Sequence, residues 1–318
     1  MWFFEIIKPG LMSTIQDIGR ANYQKYGISA SGAMDKLSLR IGNIIVGNND
    51  DEAAIEITFK GPHLKFLDSG IIAITGADMG AKLNDELVSL WTSIKVNKGD
   101  YLTFSFATGN GCRAYIAIAG GIEVPVVIGS KSTSLRAGFG GVDGKALQTG
   151  DVISIGRSEC ASVGRVFPLE YRPNFGEDRP MRFILGPQAD EFAAAELEKF
   201  CTSIYKVLNE SDRMGFRLEG TAISHKVGPD IISDYITMGS IQIPGNGQPI
   251  VLMAECQMTG GYTKIGVVID VDLPYLAQKK PGDTIHFERI DIEEAQQLYR
   301  ERERFFSLLK VNNQMAIR

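Results

Sequence analysis

Apolar and polar residues alternate in short runs along most of this chain, and glycines break the runs at close intervals. A period of two is the pattern of a strand with one buried face. It predicts strands over 2–7, 54–59, 63–66, 71–75, 90–96, 101–106, 113–119 and 152–155. In the second half it predicts strands over 182–185, 205–208, 215–219, 236–243, 250–255, 267–271 and 284–289. Helical spacing is rarer. It predicts a helix over 34–46, from Leu37, Ile41, Ile44 and Ile45, and one over 190–204 that opens with two acids, as a helix N-terminus prefers. A third, charged and amphipathic, spans 293–309. The fold class is therefore mainly β with a few helices.

A local repeat points to barrel architecture. Lys98-Gly-Asp-Tyr-Leu-Thr-Phe104, Thr149-Gly-Asp-Val-Ile-Ser-Ile155 and Pro281-Gly-Asp-Thr-Ile-His-Phe287 each set a Gly-Asp turn directly before an alternating strand. Glycine admits the left-handed backbone there, and aspartate bonds the local main chain. Between the second and third copies, 159–180 carries Pro168, Pro173 and Pro180, which remove backbone donors and interrupt regular structure. A domain boundary falls there, giving domains over 1–165 and 175–318.

Composition narrows the functional classes. The chain has 318 residues, 22% charged and 44% apolar, with a formal net charge of -5. That balance suits two folded domains and leaves out nucleic acid as a partner, which needs a dense basic footprint. The opening Met-Trp-Phe-Phe-Glu is broken by Glu5 and lacks a basic leader, so it reads as a first strand rather than a signal peptide. No apolar run approaches the roughly 20 residues of a spanning helix, so no membrane role and a cytoplasmic location are expected. Cys112, Cys160, Cys201 and Cys256 stand singly, without zinc or redox spacing, and His63, His225 and His286 lie far apart. No metal site is expected, and no Gly-x-Ser-x-Gly elbow accompanies the histidines.

The densest polar chemistry lies in Ser211-Asp-Arg-Met-Gly-Phe-Arg-Leu-Glu-Gly220. Alternation places Arg213, Arg217 and Glu219 on one strand face, where paired guanidiniums suit a carboxylate or phosphate. The plainer reading is a solvated arginine–glutamate face. Asp17 and Arg20 flank Gly19 in a connection, and Ser29 or Ser31 is a candidate cap for the helix that follows. Gly129-Ser-Lys-Ser-Thr133 resembles a fragment of a phosphate loop, but Ser130 stands where that frame needs glycine. It is read as an anion-contacting loop or a polar turn. Gln242 and Gln248 bracket a Pro-Gly-Asn-Gly turn and suit a urea-like or lactam group. Thr259-Gly-Gly-Tyr-Thr-Lys264 lets backbone approach a ligand beside Tyr262 and Lys264, or else forms a bulge.

Taken in order, Gly10-Leu-Met-Ser-Thr-Ile-Gln-Asp-Ile-Gly-Arg20, Ser31-Gly-Ala-Met-Asp35, Gly129-Ser-Lys-Ser-Thr133, Gly186-Pro-Gln188, Ser211-Asp-Arg-Met-Gly215, Gln242-Ile-Pro244, Gly260-Gly-Tyr262 and Pro281-Gly-Asp283 form a series. Over about residues 8–290 it resembles the carboxyltransferase-domain family. That family includes the C component of 5-oxoprolinase, the antagonist KipA of a sporulation-kinase inhibitor, allophanate hydrolase subunit 2 and the matching region of urea carboxylase. The resemblance implies two cyclophilin-like β-barrel domains and a cleft built from loops of both. It implies site positions at Asp17, Arg20, Ser31, Asp35, Asp212, Arg213, Arg217, Gln242, Gln248, Gly260, Gly261 and Tyr262. One departure stands out: many relatives carry Asp-Arg-Gln-Thr-Thr-Gly-Gly-Tyr where this chain has Glu255-Cys-Gln-Met-Thr-Gly-Gly-Tyr262.

The implied activity is that of one component of an ATP-dependent 5-oxoprolinase complex, opening a lactam to glutamate. Its partners would be a KipI-like B component and a lactam-utilisation-type A component, with ATP used in the complex. Donors for an oxyanion or phosphoryl group would come from Arg20, Arg213, Arg217 and the Gly260–Gly261 backbone, and the base from Asp17, Asp35 or Asp212. Carboxyl transfer to an amide or urea nitrogen is the alternative. No Met-Lys-Met biotin-acceptor sequence occurs, so biotin would have to arrive on a partner. A third reading is a non-catalytic antagonist that binds a KipI-like kinase inhibitor.

Overall fold

The structure is a computed structural model and describes residues 2–158 and 161–315. Glu159 and Cys160, where the proline-rich join begins, lie outside the described residues. Strand outweighs helix, 33% against 18%, as the alternation predicts. The chain divides into two compact units. The first comprises the chain up to Ala21, Ser31–Gly176 and the segment from Ser307 onward; the second comprises Asn22–Ala30 and Glu177–Phe306.

In the first unit one sheet runs in the order Ile122–Glu123, Val152–Ile155, Trp2–Lys8, His63–Phe66, Tyr101–Thr103, Lys82–Leu83 and Glu86–Leu87. The other runs Met12–Gln16, Ala54–Thr58, Arg113–Ile118, Gly70–Gly76 and Ser93–Val96. Both contribute to one core, which takes Phe4, Ile6 and Leu64 from the first and Ile55, Ile72 and Ile116 from the second. The strand Ala54–Thr58 is buried throughout because its other face is covered too. The helix Lys36–Val46 lies against Gly70–Gly76 and Arg113–Ile118, and the row Glu56, Tyr115 and Thr75 sits in register on that side. Thr75 Oγ1 donates to the Ser38 carbonyl at 2.7 Å and Tyr115 Oη donates to Glu56 Oε2 at 2.7 Å, so these polar groups are buried with partners.

The second unit closes into a barrel, in the order Met181–Leu185, Lys264–Val268, Ser240–Gln242, Ile250–Leu252, Gly215–Glu219, Ile204–Val207 and Thr284–Arg289. Neighbours are antiparallel except where Thr284–Arg289 meets Met181–Leu185 in parallel. Phe200, from the helix Ala194–Thr202, stacks on Phe287 at 4.5 Å and packs edge-on to Phe183 at 5.4 Å. Asp272, fully buried, accepts from Arg179 Nη2 at 2.8 Å and from Arg182 Nε and Nη2 at 2.9 and 2.7 Å.

The three Gly-Asp turns behave alike. Gly99, Gly150 and Gly282 have φ of 95°, 91° and 92°, the left-handed region that disfavours a side chain. Each aspartate accepts the backbone N–H three residues earlier: Asp100 from Asn97 at 2.7 Å, Asp151 from Gln148 at 2.7 Å and Asp283 from Lys280 at 3.0 Å. Several short strands escape the alternation rule. Asp230–Tyr235 pairs with Thr259–Tyr262 in a separate two-stranded sheet, so the Gly-Gly dipeptide lies in a strand, opposite a register shift between Asp230 and Asp234. The predicted 236–243 and 250–255 strands shrink to Ser240–Gln242 and Ile250–Leu252.

Candidate active site

The candidate residues of the first unit turn inward. Asp17 sits at the end of the Met12–Gln16 strand and organises the 129–133 loop. Its carboxylate accepts from Gly19 N at 2.7 Å, Lys131 N at 2.6 Å, Ser130 Oγ at 2.7 Å and also Ser132 Oγ. The loop that resembles an anion site thus closes on a carboxylate of its own chain. Arg20 is 1% exposed; its Nε donates to the Val127 carbonyl at 3.2 Å, and its Nη2 to that of Ser132 at 2.5 Å. Its guanidinium lies over Phe139 at 4.6 Å. These contacts make Arg20 a brace for the loop. Ser31, also buried, has φ of 51° and leads into the helix without capping it. Asp35 is the cap, where the sequence suggests Ser29 or Ser31: it accepts from Ser38 N at 2.9 Å and from Ser38 Oγ at 2.6 Å. Engaged in this way and fully buried, neither Asp35 oxygen is placed to take a proton from water.

In the second unit Arg213 and Arg217 part company. Alternation holds within Gly215–Glu219, where Phe216 and Leu218 are buried and Arg217 and Glu219 are exposed. Arg213 precedes the strand, in the turn that Asp212 forms by accepting from Met214 N at 2.7 Å and Gly215 N at 3.2 Å. At 5% exposed, Arg213 points to the buried Glu255, with Nε 3.2 Å from Oε1. The shared face inferred from the sequence therefore ends at Arg217, because the backbone turns before it reaches Arg213.

A cavity of about 610 Å³ opens beside this strand, and it gathers Asp212, Arg217, Gln242, Gln248 and Tyr262 with Glu210, Glu219 and Gln257. Arg217 makes no side-chain ion pair among the described residues, and three carboxylates share the cavity lining with it. Asp212 keeps Oδ2 without a protein donor among the described residues. The two glutamines differ. Gln248 is fully engaged with Gly220, its Oε1 accepting from N at 2.8 Å and its Nε2 donating to O at 3.1 Å. Gln242 is 2% exposed, and its Nε2 has no acceptor among the described residues. A buried unmet donor costs about 1–3 kcal/mol, so it calls for an explanation. Gly260 lies over it: a Cβ there would stand 2.6 Å from Nε2 and 2.4 Å from Ile236 Cδ1. A Cβ on Gly261 would meet only ordinary contacts, the nearest at 3.5 Å. Lys264 is outside the cavity lining; buried, it donates to Asp234 Oδ2 at 2.6 Å and to the Tyr235 carbonyl at 3.2 Å. That ammonium holds the Asp234 carboxyl below its usual range. No group of three or more His, Cys, Asp and Glu suited to a metal occurs among the described residues, nor any helix long and apolar enough to cross a membrane.

A family model described as carboxyltransferase domain, subdomain A and B, matches residues 26–289. The chain belongs to the carboxyltransferase-domain family. Within that family it is similar to the C component of 5-oxoprolinase from Escherichia coli (strain K12), 37% identical over 305 residues that span 96% of this chain and 97% of the relative. The same component from Haemophilus influenzae is 36% identical over 308 residues, spanning 96% and 97% of the two chains. Among solved structures, the K. lactis urea amidolyase superimposes with a TM-score of 0.90 at 30% identity, over 96% of this chain but 20% of that one. TTHA0988 gives 0.83 at 33% identity, over 91% of this chain and 55% of that one.

Against the carboxyltransferase-domain pattern, the Cys256 and Met258 departures fall in an apolar cluster with Ile236, Leu252 and Ile250. They are packing positions. Gln257, between them, lines the cavity. Glu210, Glu219 and Gln257 escape the sequence-based choice of site residues; Glu219 shares the exposed parity of Arg217, which is the one available signal. Glu255 and Asp272 have none in the sequence, since their partners lie 42 and 90 residues away.

Proposed function

We propose that this chain is the C component of a 5-oxoprolinase, which uses ATP to open the lactam of 5-oxoproline to glutamate. The observation that carries this reading is the end-to-end match to relatives of that name, over 96% of this chain and 97% of the E. coli protein. In the proposed reaction ATP passes its γ-phosphoryl group to the lactam oxygen and leaves as ADP. Water adds to the lactam carbon and the ring C–N bond breaks with a proton delivered to nitrogen, giving γ-glutamyl phosphate. A second water hydrolyses this to glutamate and inorganic phosphate. Arg217 holds the substrate carboxylate, Gln242, Gln257 and Tyr262 border the ring, and Asp212 takes the proton from water. Three carboxylates around one arginine disfavour a free polyphosphate, so ATP is handled by partner proteins, one KipI-like and one of the lactam-utilisation type. Use of ATP by the complex supports a cytoplasmic location.

Carboxyl transfer is the second reading, favoured by the close superposition on urea amidolyase. It needs biotin carried on another polypeptide. The deciding experiment coexpresses the chain with its candidate partners and follows glutamate release from 5-oxoproline with and without ATP. ATP-dependent release that collapses in Arg217→Ala, with the complex still assembled, supports the proposal. An assembled, inactive wild-type complex overturns it in favour of carboxyl transfer or of a non-catalytic antagonist of a KipI-like inhibitor.

A further inference from the structure

We propose that Gln242 recognises the lactam bond itself, pairing its carboxamide with the ring C=O and N–H, and that Gly260 is the clearance that makes this pairing possible. The inference rests on the lactam reading above and deepens it.

Three observations converge on Gln242. Its Nε2 is buried without an acceptor among the described residues. Its side chain borders the cavity that also holds Arg217 and Asp212. A Cβ on residue 260 would stand 2.6 Å from that same nitrogen. The neighbouring Gln248 supplies the contrast, because both ends of its carboxamide are engaged by Gly220. A primary carboxamide offers one acceptor and a donor side by side. The group that complements it presents C=O and N–H on the same edge. Open-chain secondary amides are trans, with the two groups on opposite edges, whereas a five-membered ring forces the cis arrangement. The site therefore selects a cyclic amide by shape. A ureido group has the same edge, so the shared chemistry is a syn C=O/N–H pair.

The test titrates the isotope-labelled full chain, alone and in its complex, while the Gln242 side-chain amide resonance is followed. That resonance is assigned by its absence in Gln242→Glu. The probes are 2-pyrrolidinone, ethyleneurea, N-methyl-2-pyrrolidinone, which lacks the N–H, and trans N-methylacetamide. Saturable shifts with either ring that carries N–H, at least about 10-fold tighter than with the other two probes, support the pairing. The tighter of the two rings identifies the source as lactam or ureido. Gly260→Ala, checked for a retained amide spectrum, is expected to weaken that binding by about 10-fold or more. Equal binding of N-methyl-2-pyrrolidinone, or a Gln242 resonance that moves with none of the probes, overturns the inference. Turnover separates it from the functional proposal. A complex that hydrolyses 5-oxoproline with kcat/KM unchanged in Gln242→Glu removes the Gln242 role and keeps the function. A complex without turnover whose chain still binds 2-pyrrolidinone removes the function and keeps the role.

Discussion

Replacing Arg213 by alanine tests whether this arginine braces the site or acts on substrate. Arg213 and Glu255 are each 5% exposed, and Nε lies 3.2 Å from Oε1. The same two segments are joined by backbone bonds, Glu255 N to Arg213 O at 2.8 Å and Met253 N to Met214 O at 2.9 Å. Arg213→Ala leaves the Glu255 carboxylate buried without its guanidinium. Breaking one side of a buried pair costs about 3–5 kcal/mol, much more than the net worth of the intact pair. With a urea slope of about 2–3 kcal/mol/M, the unfolding midpoint should fall by about 1–2.5 M. Circular dichroism during urea titration reads that fall. Hydrogen exchange at the Met253 and Glu255 amides localises it. The double variant Arg213→Met with Glu255→Leu removes both charges and should recover most of the loss, which a mere cavity at residue 213 would not allow. A wild-type midpoint in Arg213→Ala, or a double variant no better than the single, refutes the buried-pair argument. Lost turnover with unchanged stability and exchange would place Arg213 on the substrate instead.

Two further outcomes follow from the packing. Burial pushes the Cys256 thiol up to about 11 from its ordinary value of 9.0, so the folded state keeps a proton that the unfolded chain loses as pH rises. The associated stability, on the order of 2–3 kcal/mol, is fully present below pH 9.0 and is lost as pH rises through about 11. Cys256→Ala should flatten the alkaline fall in urea midpoint, and an identical fall in both proteins would contradict the burial argument. Asp17→Ala strips the 129–133 loop of the carboxylate that binds Ser130, Lys131 and Ser132. Charge-assisted bonds are each worth about 1.5–3 kcal/mol, so a loss of at least about 3 kcal/mol is expected, with faster exchange at the Lys131 amide. Unchanged Lys131 exchange would show that Asp17 does not hold the loop.

Local rules sufficed for the elements whose physics is local. Alternation found Gly215–Glu219, His63–Phe66, Val152–Ile155 and Thr284–Arg289 at their observed ends, because side-chain parity follows directly from the pleat. The Gly-Asp turns were legible because a positive φ and a bond to the residue three earlier involve only neighbours. The strands Asp230–Tyr235 and Thr259–Tyr262 were not, since a Gly-Gly pair has no propensity to extend and becomes a strand only when a partner supplies the ladder. Among the candidate residues, residue type alone suggested every aspartate and arginine equally. Arg217, Asp212 and Gln242 reach the cavity, whereas Arg20 and Arg213 are drawn into the protein by partners at other points of the chain and Asp35 caps its own helix.

A mainly β chain, the Gly-Asp corners, the parity that exposes Arg217 and Glu219, and membership of the carboxyltransferase-domain family all follow from the residue order. Tertiary structure alone decided which polar groups are free to do chemistry. A charged or amide side chain is available only if no nearby donor, acceptor or counter-ion has claimed it, and those neighbours come from distant parts of the chain. Thr133 bonds a glutamine 117 residues away, and Arg213 bonds a glutamate 42 residues away. Gln242 Nε2 is left unclaimed among the described residues, with Gly260 packed beside it.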